Sequence, residues 1–147
     1  MVVLELLATL CIGLFSGASI YINLVEHPAR MSCGTAAAIA EWAPSYKRAT
    51  VIQASLAALG FLSALAAWLR GAGIVWLVSG VLIGLVIPVT LIVILPTNRK
   101  LLDPNLEKES NEARQLLERW NKLHAVRSVL SLASFLVCLY SLCRNLQ

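Results

Sequence analysis

The sequence predicts an all-α protein, a four-helix bundle whose helices each cross a membrane. Its 147 residues are 59% hydrophobic and only 14% charged, where an ordinary soluble domain is about half apolar and about a quarter charged. Mean hydropathy is +0.77. Four segments, about 2–25, 49–69, 73–95 and 123–143, reach the ~20 apolar residues that a helix needs to cross a bilayer core. That length is one domain's worth, so residues 1–147 read as a single membrane domain.

The first segment, "MVVLELLATLCIGLFSGASIYINL", lacks the basic start of a secretory signal and runs too long for one. It reads as a retained span. Its end is expected at His27, because the residue before a proline (Pro28) is pushed out of the α region. Residues 28–47 then form a loop. Spans two and three are joined by "RGAG", Arg70 to Gly73, which makes them antiparallel neighbours. Pro88 should kink span three, and Pro96 with "TNRK" should close it. The connection at about 97–121 contains "DPNLEKESNEARQLLERWNKL", which is charged and helix-favouring. Asp103 as cap and Pro104 at the first helical position predict a cytoplasmic amphipathic helical extension that runs into span four.

Basic residues set the expected orientation. Arg30, Lys47 and Arg48 follow span one, and Arg99, Lys100, Lys108, Arg114, Arg119 and Lys122 follow span three. The opposite side holds only Arg70 and Arg144. The excess of Lys and Arg places both long loops in the cytoplasm and both termini on the other side. The net charge of +4 is spread over loops, which suits lipid headgroups and not nucleic acid. Cys11, Cys33, Cys138 and Cys143 make no CxxC pair and read as buried or lipid-facing thiols. GxxxG spacings at Gly13/Gly17 and Gly80/Gly84 allow close helix approach, within the bundle or between the subunits of a homo-oligomer.

Candidate chemistry lies on span four. Within "LLERWNKLHAVRSVLSLASF", Leu116 to Phe135, a soluble-looking helix turns into a membrane span. Steps of four and three residues link Trp120, His124, Arg127, Ser131, Ser134, Cys138 and Ser141, which share one helical face. Lipid cannot hydrogen-bond to such a stripe, so it should face the bundle interior. Matching groups stand near the same end of the other spans: Ser16, Ser19, Asn23, Glu26 and His27; Tyr46, Thr50 and Gln53; Thr90, Thr97, Asn98 and Arg99. They predict one polar chamber, open toward the cytoplasm. A structural account competes with this one. Arg127 and Arg99 would snorkel to the headgroups, Trp42 and Trp120 would belong to an interfacial belt, and Glu26 would pair with Arg127 or Arg30.

Two further functions fit the same residues. His27, His124 and Glu26 could bind iron or copper, although no HxH or HxxxH spacing occurs. The chamber could instead hold or carry a lipid, a quinone or another amphiphile. Four spans without an internal repeat are few for a secondary transporter. A Gly-rich phosphate loop, GxSxG and HExxH are all missing, which leaves hydrolase, kinase and nucleotide-dependent dehydrogenase readings without support.

Four blocks in order, "NLVEHPAR", "APSYKRATVIQASLA", "LPTNRKLL" and "LLERWNKLHAVRSVLSL", resemble the anthrone-oxygenase-like family of small four-span membrane proteins. Some fungal members of that family oxidise anthrones to anthraquinones. The resemblance implies a cofactor-independent monooxygenase acting on a small hydrophobic aromatic with dioxygen. The acidic methylene of an anthrone would lose a proton to a neutral histidine, and the enolate would meet dioxygen without metal or flavin. On that reading His124 or His27 is the base. Arg127, Asn23 and Asn98 hold the enolate oxygen, Trp42, Tyr46 and Trp120 stack on the rings, and Glu26, Gln53 and Asn121 complete the lining.

Overall fold

The computed structural model describes residues 2–145. Among them the chain is helical without strands, and four helices are long and apolar enough to cross a membrane. We label these α1 (Val2–Ser32), α2 (Thr35–Leu69), α3 (Ile74–Leu101) and α4 (Asn111–Asn145). Each packs on its neighbour in sequence and α4 closes back onto α1, so the bundle runs up, down, up and down in a square.

Pro28 does not end the first helix. Residues Ile22–Glu26 form a π turn, and the N–H of His27 reaches back five residues to the carbonyl of Ile22. Helix then continues from His27 to Ser32 with Pro28 in its first turn, where a missing N–H costs little. The wider turn accommodates a proline that an unbroken α-ladder would not. The same device recurs in α3. Val89–Ile94 is a second π turn, the N–H of Leu95 meets the carbonyl of Thr90, and Pro96 follows. The expected loop at 28–47 shrinks to Cys33 and Gly34, and Pro44 lies inside α2. Gly34 (φ 91°) and Gly73 (φ 103°) adopt the positive φ that the entrances to α2 and α3 require and that only glycine takes freely.

Asp103 does not cap the last helix. Its carboxylate accepts from the N–H and the side chain of Asn105 in a local turn, and residues 103–110 carry no helix. Ser110 caps instead, its Oγ accepting from the N–H of Ala113 at 3.1 Å. From Asn111 the helix is continuous, so the rest of the charged segment and the fourth span are one rod.

Lipid tails are as apolar as the side chains they meet, so helices in a bilayer associate through close packing and hydrogen bonds. Small residues provide the closeness. A Cβ on Gly60 would stand 2.8 Å from Ile12, and one on Gly13 would stand 2.7 Å from Phe135. Gly80 and Gly84 face Ala64 and Phe61 of α2, whereas Gly17 touches nothing. The two GxxxG spacings thus serve packing at three of their four glycines. Two apolar layers result. One contains Ile12, Phe15, Ala57, Ala64, Trp76 and Ile83. The other contains Ile22, Trp42, Ile94, Leu117 and Trp120. The polar residues of interest lie between them.

Candidate functional site

The stripe on α4 faces inward along its length. Trp120 and His124 are buried, as are Ser131, Ser134, Cys138 and Ser141. Trp42 is fully buried and Trp120 nearly so, which removes both from any interfacial belt. Trp120 lies between two imidazoles, its ring centroid 4.8 Å from His124 and 5.6 Å from His27. Its edge meets Trp42 at 5.7 Å, and Trp42 stacks on Tyr46 at 5.0 Å. This aromatic wall closes one side of a cavity of about 20 Å³, room for a water or a molecule of similar size.

Eight of the eleven expected site residues line that cavity: Glu26, Trp42, Tyr46, Gln53, Asn98, Trp120, His124 and Arg127. Asn23, His27 and Asn121 do not. Asn23 and Asn121 act one step behind, by orienting His124. The Asn23 amide nitrogen donates to the main-chain carbonyl of Asn121 at 3.0 Å and to the Asn121 side-chain oxygen at 2.7 Å. A main-chain carbonyl can only accept, so this contact fixes which end of the amide is nitrogen. Asn23 Oδ1 must then be the atom facing His124 Nδ1 at 2.9 Å and Ser128 Oγ at 2.5 Å. An amide oxygen can only accept as well, so His124 Nδ1 carries a proton. In the neutral ring that leaves the basic lone pair on Nε2.

The cations divide sharply. Arg30, counted above as a loop charge, is buried. It pairs with Glu26 one turn earlier and, through Nε at 2.6 Å, with Glu41 of α2. Glu26 also accepts from Ser45 at 2.8 Å, so its carboxylate is committed to holding α1 against α2. Arg127 has no carboxylate within reach among the described residues. One guanidinium nitrogen donates to Gln53 Oε1 at 2.7 Å, and its carbon lies 5.3 Å from the Phe15 ring centroid. A cation in a bilayer without a counter-charge is costly.

Arg127 Nε, Gln53 Nε2, Trp42 Nε1 and both polar atoms of Asn98 are buried without hydrogen-bond partners. Each unmade bond costs about 1–3 kcal/mol. Such costs gathered around one hollow are what a ligand carrying acceptor oxygens would relieve. Arg99, proposed for the same site, is exposed. Thr50 lines the cavity as expected, and Arg30, Ser45 and Ala49 line it without having been expected there. Of these, Arg30 alone had a sequence signal, its place four residues after Glu26. His27, Glu26 and His124 do not converge as metal ligands, and no such cluster of three occurs among the described residues.

A four-helix integral membrane protein with a polar chamber set into one end of its bundle is the class that this fold and site define. Residues 42–137 match the anthrone oxygenase family, and with more than half its length matched the chain belongs to that family. No curated protein and no solved structure matches it. The matched stretch carries the chamber residues of α2, α3 and α4, while Asn23, Glu26 and His27 of α1 lie outside it.

Proposed function

We propose that the protein oxidises a small hydrophobic aromatic of the anthrone type, with His124 as general base and Arg127 as the donor to the developing enolate. The carrying observation is the pair itself: an imidazole whose Nδ1 is held by Asn23, beside an arginine without a carboxylate. In the reaction, Nε2 of His124 takes a proton from the ring methylene. The electron pair spreads to the ketone oxygen, which accepts hydrogen bonds from Arg127 and from the unpaired amide of Asn98. Dioxygen takes electrons from the carbanion, bonds at that carbon and receives the proton back from Nε2 of His124. Loss of water from the resulting hydroperoxide leaves a second ketone. One anthrone and one dioxygen give one anthraquinone and one water.

His27 lies behind Trp120 and supports that ring on this reading. The chamber opens on the cytoplasmic side, where the basic connections lie, and the surrounding partner is lipid. The test is oxygen uptake and anthraquinone formation by the purified protein in lipid nanodiscs supplied with anthrone. Wild type accelerates both over protein-free nanodiscs in equal molar amounts, and His124→Ala loses about 10²–10⁴-fold of the acceleration. Equal rates for wild type and His124→Ala would remove His124 as the base. Binding of the aromatic by wild type without oxygen uptake would make the protein a carrier of such molecules.

A further inference from the structure

A cavity of about 20 Å³ cannot admit a fused-ring aromatic, and it is not the only hollow that reaches Arg127. A second, of about 160 Å³, lies between α2 and α3 and shares Thr50, Gln53 and Arg127 with the first. Its floor is Phe15, Ala57 and Val86, each buried. Its rim is Ala54, Ile87 and Leu91, which are exposed on the apolar flank of the bundle. The hollow is therefore a slot that opens sideways, toward the lipid.

The slot offers hydrogen bonds at one end only. Thr50 donates to the Tyr46 carbonyl at 2.8 Å and Thr90 to the Val86 carbonyl at 2.7 Å, so both hydroxyl protons are spent on their own helices. The donors left are Gln53 Nε2, which is buried and unpartnered, and the guanidinium of Arg127 at the inner end. A hollow with apolar walls and cationic donors at its closed end is complementary to a molecule that is apolar throughout except for an acceptor oxygen at its leading edge. The charged headgroup of a phospholipid would have to cross the apolar rim to reach those donors, and an acyl chain would leave them unmet.

We propose that this slot is the binding site for the ring system of a planar aromatic ketone or phenol, which enters sideways from the bilayer with its oxygen pointed at Gln53 and Arg127. The Gln53–Arg127 hydrogen bond forms the inner wall between the slot and the small chamber, so the slot is where the ring system docks, and turnover requires this pair to part so that the methylene reaches Nε2 of His124. The inference rests on the catalytic reading for its choice of ligand, but the site can be tested without turnover.

The probe is anthraquinone, which already carries both ketones and so has no methylene to oxidise. Its binding to the full chain in phosphatidylcholine nanodiscs is followed by quenching of tryptophan fluorescence. Ala54→Phe fills the rim and Ala57→Leu fills the floor. Each weakens binding at least tenfold, whereas Leu136→Phe, on the lipid-facing side of α4, leaves it unchanged. Ala54 is exposed, so its substitution keeps the test valid if Ala57→Leu does not fold. Wild-type affinity in the filled variants overturns the proposal, and so does a wild type that binds no anthraquinone. A phospholipid retained in native mass spectra and not displaced by anthraquinone overturns it too, in favour of a lipid site. Anthrone oxidation separates the two readings. Filled variants that oxidise anthrone with unchanged KM remove the slot and leave the catalysis. Slot-dependent anthraquinone binding in a wild type that oxidises nothing removes the catalysis and leaves the slot.

Discussion

The buried face of α4 has two halves that look alike in sequence and differ in their hydrogen bonding. In the half toward the C-terminus, Ser134 Oγ donates to the Ser79 carbonyl at 2.8 Å. Ser79 Oγ in turn lies 2.9 Å from Ser134 Oγ and 2.8 Å from Cys138 Sγ. The groups satisfy one another and tie α3 to α4. In the half toward the N-terminus, Arg127 keeps an unpartnered Nε, and Asn98, Gln53 and Trp42 around it keep unpartnered atoms of their own. Arg30 Nε, also at the chamber, makes an ion pair with Glu41 in place of a hydrogen bond, and the remaining unpartnered buried atoms, at Ser16, Ser19, Trp76 and His27, do not frame the chamber. Polarity inside a membrane bundle thus has two uses. Where the fold completes the bonds it is adhesive, and where the fold leaves them open around a hollow it is free to meet a ligand.

The sharpest way to break this comparison is to remove the unpaired cation. Arg127→Met keeps most of the length and apolar volume of the side chain and deletes the charge. Loss of a donor to a developing oxyanion costs about 10²–10³-fold in rate, so anthrone oxidation should fall by that much. The thermal midpoint in detergent should hold or rise, because a buried charge without a partner destabilises the fold that contains it. A variant that unfolds at lower temperature would show that Arg127 is structural, and the two halves of the stripe would be alike after all.

A smaller effect is expected one step back from the chemistry. Asn23 fixes the tautomer of His124 by accepting from Nδ1. Asn23→Leu should lower kcat by roughly tenfold or more, in line with loss of an orienting partner behind a functional histidine, while KM stays near its wild-type value. Asn23→Asp retains the acceptor for His124 and Ser128 and loses the donor to Asn121. It should recover most of kcat. Equal losses in both variants would mean that Asn23 serves only to join α1 to α4.

The residues that were legible in sequence are those whose signal is periodic. Four apolar runs gave the bundle, and four–three spacing put Trp120, His124 and the serines of α4 on one inward face. Arg30 counts as a topology charge by its place after a span, yet its pairing with Glu26 four residues earlier is legible too; what the sequence hides is Glu41 of another helix, which completes the burial. Pro28 was read as a stop because the π turn that admits it has no pattern of its own. The same holds for Asp103, whose side chain found Asn105 before it could serve a helix. The slot was invisible for a different reason. It is made by what Ala54 and Ala57 lack, and a small residue in a membrane helix gives no sign of whether a neighbour fills the space it leaves.

The smallest expected effect tests the adhesive half. Ser79→Ala removes the hydroxyl that meets Ser134 and Cys138 and keeps the main-chain carbonyl that Ser134 Oγ uses. Interhelical hydrogen bonds in bilayers average about 0.6 kcal/mol and reach about 1.7 kcal/mol, because in the unfolded chain these groups also find partners. Unfolding in mixed micelles should show a loss within that range. Anthrone oxidation and anthraquinone affinity should not change, since Ser79 lines neither the chamber nor the slot. A drop in kcat without a drop in stability would mean that the serines are coupled to His124 along α4, and the division of the stripe into glue and site would have to be redrawn.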